Sequence, residues 1–207
     1  MPKLTIVIGA NGAGKSTWCE WYREELPTNF YNADSIARGL GDWNSARKQR
    51  EARELVDQAI EDQLAVRGDF GFESTYSGRS RPSIVRRAKA FGYEVSAVFV
   101  GTRGPEINVD RVKARVADRS GHDVPKTEIR RRWTAAQENL IATSDAIDSI
   151  QLIDNSGSRA RRVTTITRNQ QTEVATDAPR WARDLARRIT RAPRSPVRAR
   201  KPQPAVR

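Results

Sequence analysis

Apolar and polar positions along this chain follow two alternating periods, and together they predict an α/β domain. "KLTIVIG" near the start is a nearly continuous apolar run rich in β-branched residues. Such a run suits a strand buried on both faces of a parallel sheet. A helix is expected from Lys15 to Leu26, stopped by Pro27. "NFYNAD" reads as a second strand ending at Asp34. Between Ser45 and Arg67, the residues Ala52, Leu55, Val56, Ala59, Ile60 and Leu64 recur on one helical face, and Gly68 closes that helix. "DFGFEST" predicts a third strand ending near Glu73, followed by a helix over residues 81–91 with Gly92 as its C-terminal cap. "YEVSAVFVG" is the clearest strand of all. Helices at 105–119 and 126–143 follow, then a short strand, "SIQLID", ending at Asp154. "RVTTITRNQQTEVA" reads as two short strands around a turn, and a last helix covers 179–189.

Strands that alternate with helices imply a mostly parallel central sheet, right-handed crossovers and helices on both faces. Ligands of such sheets bind at the carboxyl ends of the strands. Gly9, Asp34, Glu73 and Asp154 all fall at predicted strand ends and are expected to gather on one edge. The chain divides into a main domain over 1–158, a hairpin and helix over 159–189 packed on or beside it, and a tail over 190–207. The tail, "TRAPRSPVRARKPQPAVR", is rich in Pro and Arg, lacks large apolar residues, and is expected to be disordered.

Charge sharpens that division. The formal net charge is +12, but residues 159–207 hold 14 Lys and Arg against 3 Asp and Glu, whereas residues 1–158 hold 23 against 22. The basicity belongs to the C-terminal end, so it says little about the chemistry of the first 158 residues. A basic end of this kind suits an acidic partner protein, nucleic acid or an anionic surface, or simply solubility. No aromatic residue interleaves the arginines after Trp181, so base stacking is not indicated. The single cysteine, Cys19, excludes an intramolecular disulfide, and no apolar run is long enough to span a membrane. With a strand pattern starting at once and no signal-peptide hydrophobic region, the expectation is a soluble, cytoplasmic protein.

The strongest chemical signal is "GANGAGKST". Gly9, Ala10, Asn11, Gly12, Ala13, Gly14, Lys15 and Ser16 fit G-x-x-x-x-G-K-[ST] without a gap, and Thr17 follows. Glycines let successive backbone N–H groups point at phosphate oxygens, and the helix starting near Lys15 adds its positive end. Lys15 is expected on the β- and γ-phosphates of a nucleoside triphosphate, with the Ser16 hydroxyl on Mg²⁺. The whole is then a P-loop NTPase three-layer α/β fold. ATP is the default donor, since no guanine-reading motif is visible, and GTP stays open.

Transferring the γ-phosphate to an alcohol needs a base beside the acceptor hydroxyl and cations over the developing charge. Asp34 in "YNADSIARGL" and Glu73 in "GFESTYSGRS" are the candidate bases. Arg111, Arg115 and Arg119 are spaced by four, share one helix face and could cover the triphosphate as a lid. A kinase of a small hydroxyl acceptor, a kinase of a nucleoside, dinucleotide or RNA end, and a non-catalytic ATP-binding switch all remain open on these residues.

The motifs "GANGAGKST", "NADSIARGL", "FESTYSGRS", "GYEVSAVFVGT", "RVADRSGHDVPKTEIRRR" and "DNSG", in this order over residues 1–158, resemble the zeta toxin family of P-loop kinases. The likeness is to a compact bacterial branch described as predicted ABC-type ATPases. The resemblance implies a toxin of a toxin–antitoxin pair that phosphorylates UDP-N-acetylglucosamine on the sugar 3′-hydroxyl, with a small antitoxin protein as partner. It implies Asp34 as the base. Glu73 and Thr75 would hold the sugar acceptor with Arg79 close by, Arg111 and Arg119 would clamp the triphosphate with Arg115 beside them, and Asn155 would lie near the adenine. The chain is shorter than better-known members, whose additional C-terminal helices help form the substrate site.

Other residues read more plainly. His122 in "GHDVP" is expected to shape a loop, and Cys19 to be a small core residue. Trp18, Trp21 and Tyr22 are expected in core or edge packing. For Asp34 a helix N-cap is the competing role, with Ser35 as its rival.

Overall fold

Residues 1–41, 44–118, 121–168 and 172–193 are described by the computed structural model. The strands are β1 (Lys3–Ile8), β2 (Phe30–Tyr31), β3 (Phe70–Ser74), β4 (Glu94–Gly101), β5 (Ser149–Asp154), β6 (Arg161–Thr167) and β7 (Thr172–Val174). The helices are α1 (Lys15–Trp21), α2 (Ala33–Gly39), α3 (Ala46–Val66), α4 (Ser80–Ala90), α5 (Pro105–Ala117), α6 (Lys126–Thr143) and α7 (Arg180–Arg191). One sheet runs in the order β2-β3-β1-β4-β5-β6-β7. The first five strands are parallel, while β6 and β7 add an antiparallel end.

Strand periodicity sorts the apolar side chains onto two faces. Leu4, Ile6 and Ile8 of β1, with Val95, Ala97 and Phe99 of β4, pack into the larger core against α3, α4, α6 and α7. Val7, Val98, Val100 and Ile153 face the other way, against Ala13 and Trp18. A third, smaller cluster joins α5 to α6 through Val109, Val112, Val124 and Ile129. The sheet is therefore a middle layer, as expected for an α/β fold with flanking helices.

The C-terminal helix is part of this core. Trp181, Ala182, Leu185, Ala186 and Ile189 are buried in the larger cluster, and the Trp181 ring lies 6.1 Å from that of Phe99. Of the tail expected over 190–207, Thr190 and Arg191 instead continue α7, and residues 194–207, like Arg119, lie outside the described residues. Among those described, no helix is long and apolar enough to cross a membrane.

Several elements differ from the sequence expectation. The first helix ends at Trp21, and a single 3-10 turn, Arg23–Glu25, follows it. Tyr22 leaves the helical region with φ −113° while its ring stacks on Trp18 at 4.7 Å. Trp21 points outward and is 62% exposed, so it does not pack as expected. In α3 only Ala52, Val56, Ile60 and Leu64 are buried, a strict four-residue stripe, and Leu55 on its flank is exposed. Asp34 does not end a strand. The strand β2 is two residues long, and Asp34 sits in the first turn of α2. Neither Asp34 nor Ser35 caps that helix; Asn32 does, its Oδ1 accepting from Asp34 N at 2.8 Å and Ser35 N at 3.2 Å.

Candidate active site

The phosphate-loop motif follows β1 and opens α1, as its pattern requires. Gly12 and Gly14 have φ of 78° and 96°, in the region that favours glycine. Space demands glycine there as well: a Cβ on Gly12 would lie 2.4 Å from the Asn108 carbonyl oxygen, and one on Gly14 would lie 2.2 Å from Asn155 Nδ2. These close approaches come from two asparagines that brace the loop from behind. Asn108 Nδ2 donates to the Asn11 carbonyl at 2.9 Å, and Asn155 Nδ2 donates to the Ala13 carbonyl at 2.8 Å. Thr102 donates its hydroxyl to Asn108 Oδ1 and so fixes that amide. The loop is thus held open for phosphate by side chains, not by its own turns alone.

Lys15 is buried, with Nζ donating to the Ala10 carbonyl at 3.2 Å and lying 3.6 Å from Glu73 Oε1. Glu73 comes in along β3, where it is in register with Val7 of β1. Its side chain is only 6% exposed, and a carboxylate so placed needs partners. It has three: Lys15, the Ser16 hydroxyl at 3.0 and 3.2 Å, and Asn32 Nδ2 at 2.7 Å. Among the described residues no salt bridge joins Glu73 to Arg79. Arg79 is exposed at the N-cap of α4, away from this cluster.

Beside the cluster is a cavity of about 370 Å³ whose lining includes Asn11, Lys15, Asp34, Glu73, Thr75 and Arg132. Asp34 is half-buried, and among the described residues no hydrogen bond or ion pair reaches its carboxylate. The loop carrying Thr75 is turned by Tyr76, a buried residue at φ 53° whose hydroxyl meets Thr143 at 3.0 Å. Asn139 of α6 donates to the Tyr76 carbonyl at 2.7 Å and the Gly78 carbonyl at 3.1 Å, pinning this loop under α6. His122 lies on the cavity wall in the loop before α6, where it was expected to shape the turn.

Lys15 is at the cavity as expected, but the arginines there are not those that the sequence singled out. Arg53, Arg81 and Arg132 line it with Lys15. Arg132 Nη1 donates to Asn11 Oδ1 at 2.9 Å, and its Nε donates to Glu128 at 3.0 Å. Hydrogen bonds from Arg131 first, and from Arg132, hold the Glu128 carboxyl down at about 2, against an opposing effect of burial. Arg81 Nη1 lies 2.6 Å from Asp57 but forms no hydrogen bond, and its guanidinium sits over the Phe72 ring at 5.3 Å. Arg111 instead turns to the loop after β5, with Nη2 donating to the Gly157 carbonyl at 3.3 Å and Nη1 buried without a hydrogen bond. Arg115 is exposed beside Gly121, and neither it nor Arg111 lines the cavity.

The structure therefore brings Lys15, Ser16, Asp34, Glu73 and Thr75 together, with Asn155 behind the loop. It leaves Arg79, Arg111 and Arg115 outside the cavity. Sequence reasoning missed Asn32, Asn108 and Arg132. For Asn32 a signal existed, since Asn one residue before a helix start is a favoured cap. Cys19, on the same helix as Ser16, is pushed up to about 12 by burial and then by the Glu73 charge, which fits the inert core thiol expected.

A nucleoside triphosphate with Mg²⁺ fits these residues. The loop carries the glycine conformations and the buried lysine that phosphate oxygens require, and Ser16 and Glu73 offer oxygen donors of the kind Mg²⁺ takes. Mg²⁺ is bound by one or two protein oxygens with substrate phosphates, so it needs no cluster of three acidic or imidazole ligands, and none occurs among the described residues.

Comparison with known proteins agrees with this fold. The sequence profile of the zeta toxin family matches residues 1–174. An uncharacterised protein of Haemophilus influenzae is 30% identical over 135 residues, which are 63% of this chain and 92% of that one. Among solved structures, the AvrRxo1-ORF1:ORF2 complex with ATP superposes with a TM-score of 0.67 at 13% identity, over 90% of this chain and 64% of that one. This chain thus spans just under two thirds of that protein. The PezAT toxin–antitoxin system of Streptococcus pneumoniae superposes with a TM-score of 0.58 at 14% identity, over 93% of this chain and 86% of that one. The chain belongs to the zeta toxin family of P-loop kinases.

Proposed function

We propose that the protein transfers the γ-phosphate of ATP to a hydroxyl of a nucleotide sugar such as UDP-N-acetylglucosamine, acting in the cytoplasm as the toxin of a toxin–antitoxin pair. The observation that carries the assignment of roles is the contrast between the two carboxylates. Glu73 is committed to Lys15, Ser16 and Asn32, whereas Asp34 lines the same cavity with no partner among the described residues. A general base must be free to take a proton, so Asp34 is the base and Glu73 organises the phosphate end.

In this reading Asp34 accepts the proton of the acceptor hydroxyl. The hydroxyl oxygen then bonds to the γ-phosphorus while the bond to the β–γ bridging oxygen breaks, leaving ADP. Lys15 and Arg132 cover the charge that spreads over the transferred group. Ser16 would hold Mg²⁺ with Glu73 near it; the ion, when bound, neutralises phosphate charge. Thr75, on the wall of the same cavity, would orient the acceptor. A small antitoxin as partner is supported by the toxin–antitoxin relative.

The test is an acceptor screen with labelled ATP and Mg²⁺, using the wild type and Lys15→Ala on nucleotide sugars, dinucleotides and short RNA. The reading requires label on a nucleotide sugar with the wild type only. Label on RNA or a dinucleotide would keep the kinase and replace its acceptor. Tight ATP binding without transfer to any of them would favour a nucleotide-binding switch. GTP in place of ATP in the same screen decides the donor.

A further inference from the structure

We infer that Asn32 is a positioning residue which sets Asp34 and Glu73 relative to each other through one side-chain amide. The inference rests on the kinase reading for its catalytic meaning, though not for its structural test. The amide has two ends, and both are used. Oδ1 accepts from the backbone N–H groups of Asp34 at 2.8 Å and Ser35 at 3.2 Å, fixing the first turn of α2. Nδ2 donates to Glu73 Oε2 at 2.7 Å. Glu73 in turn accepts from Ser16 and lies 3.6 Å from Lys15. A continuous chain of hydrogen bonds therefore runs from the phosphate-loop side of the site to the backbone of Asp34.

The residue type is informative. Asn, Asp, Ser and Thr all cap helices through an oxygen, so capping alone leaves the choice open. Of these only Asn also offers N–H donors to a carboxylate, and a planar amide fixes the angle between its two ends. A cap that merely started α2 would work as well with Asp or Ser. Asn32 is also on the wall shared with a second cavity of about 470 Å³, lined by Ser16, Cys19, Tyr31, Ser35 and Glu73. Loss of its bond to Glu73 would let that carboxylate swing away from the Asp34 side.

Asn32→Ser keeps a capping oxygen but is too short to reach Glu73, so it separates the two roles. The experiment is a double-mutant cycle of Asn32→Ser and Glu73→Ala in the full chain. Phosphoryl transfer, thermal stability and hydrogen exchange at residues 34–36 are all measured. We expect Asn32→Ser to lower kcat by 10-fold to 100-fold, an order of magnitude set by orientation effects. KM for ATP should change less than about threefold and Tm by only a degree or two, since the cap persists. In the Glu73→Ala background the further loss from Asn32→Ser should be under about threefold, because the partner is already gone. Full additivity of the two losses would overturn the inference, as would a kcat loss matched by loss of folded protein.

Hydrogen exchange judges the link without any turnover. Glu73→Ala should speed exchange of the Asp34 and Ser35 amides at least about fivefold while leaving α3 unchanged, because a freed Asn32 caps less well. Unchanged protection there would overturn the inference whatever the activity. Should the wild type transfer phosphate to no acceptor, the kinase reading falls, and this exchange result alone decides whether Asn32 couples the two carboxylates.

Discussion

Arg132→Ala gives a sharp separation between what a residue does for stability and what it does for chemistry. In the folded protein Arg132 makes one bond to Asn11 Oδ1 at 2.9 Å and one to Glu128 at 3.0 Å, with its side chain 29% exposed. Bonds of that exposure contribute about 1 kcal/mol together after solvent screening. For a chain of this size that loss lowers Tm by about 2–4 °C. The same guanidinium lines the cavity with Lys15, where the proposed transfer would spread charge. An arginine in that role accelerates phosphoryl transfer by about 10³- to 10⁵-fold, or about 4–7 kcal/mol. Arg132→Ala should therefore lose turnover by at least about a thousandfold while staying folded at assay temperature. Arg111→Ala, whose side chain meets the Gly157 carbonyl away from the cavity, should lose less than about tenfold. Single-turnover rates at saturating ATP, read beside thermal unfolding curves, give both quantities. An Arg132→Ala rate within tenfold of wild type, or an Arg111→Ala rate below that of Arg132→Ala, would refute the placement of the charge-stabilising role.

Other consequences follow from the same geometry. Gly14→Ala should abolish ATP binding and destabilise the fold by about 1–3 kcal/mol, since φ 96° strains any side chain and the new Cβ meets Asn155; adding Asn155→Ala relieves the clash but not the strain, so calorimetric ATP binding should stay lost. Burial opposes ionisation of Asp148, but hydrogen bonds from Lys89, Val95 N–H and Arg168 outweigh it and hold its pKa below the ordinary carboxylate range. Its contribution is therefore complete above the unfolded-state pKa and disappears as pH falls through the lower folded value. Denaturant unfolding should show Asp148→Asn costing about 2 kcal/mol at neutral pH and progressively less as pH drops through that range. Cys19, held at about 12, should react with a disulfide reagent at neutral pH at least about a hundredfold more slowly than a free thiol, and normally once the protein is unfolded in denaturant.

Much of this fold is legible from hydrophobic period alone, because buried strands and amphipathic helices need different spacings. "YEVSAVFVG" became β4 with only its first residue left outside, and the helix expected at 126–143 became α6 unchanged. The phosphate loop is legible for a different reason: its backbone conformation demands glycine at fixed positions. What the sequence concealed are choices made by tertiary contacts. Three consecutive arginines at 130–132 look alike in the chain, yet 130 pairs with Glu106, 131 with Glu128, and only 132 reaches Asn11. Arg79 and Arg81 differ by two positions at the start of α4, and that offset decides which one lines the cavity. Asn108 is fully buried four residues before Val112, on the inner face of α5, where nothing in the sequence names the loop carbonyl that its amide meets. The misplaced end of β2 had a local cause, since Asn32 turns the backbone into a helix two residues before Asp34.

The most direct measurement is the rate of phosphoryl transfer from ATP to UDP-N-acetylglucosamine by the wild type and Asp34→Asn, with ATP affinity determined for both. The substitution keeps shape but replaces the anionic carboxylate with a neutral amide, which cannot take the proton. The account predicts ATP affinity within about threefold of wild type and a transfer rate lower by at least about a hundredfold, as expected for loss of a general base. Equal transfer rates for the two proteins would contradict Asp34 as the base, and with it the division of labour between Asp34 and Glu73.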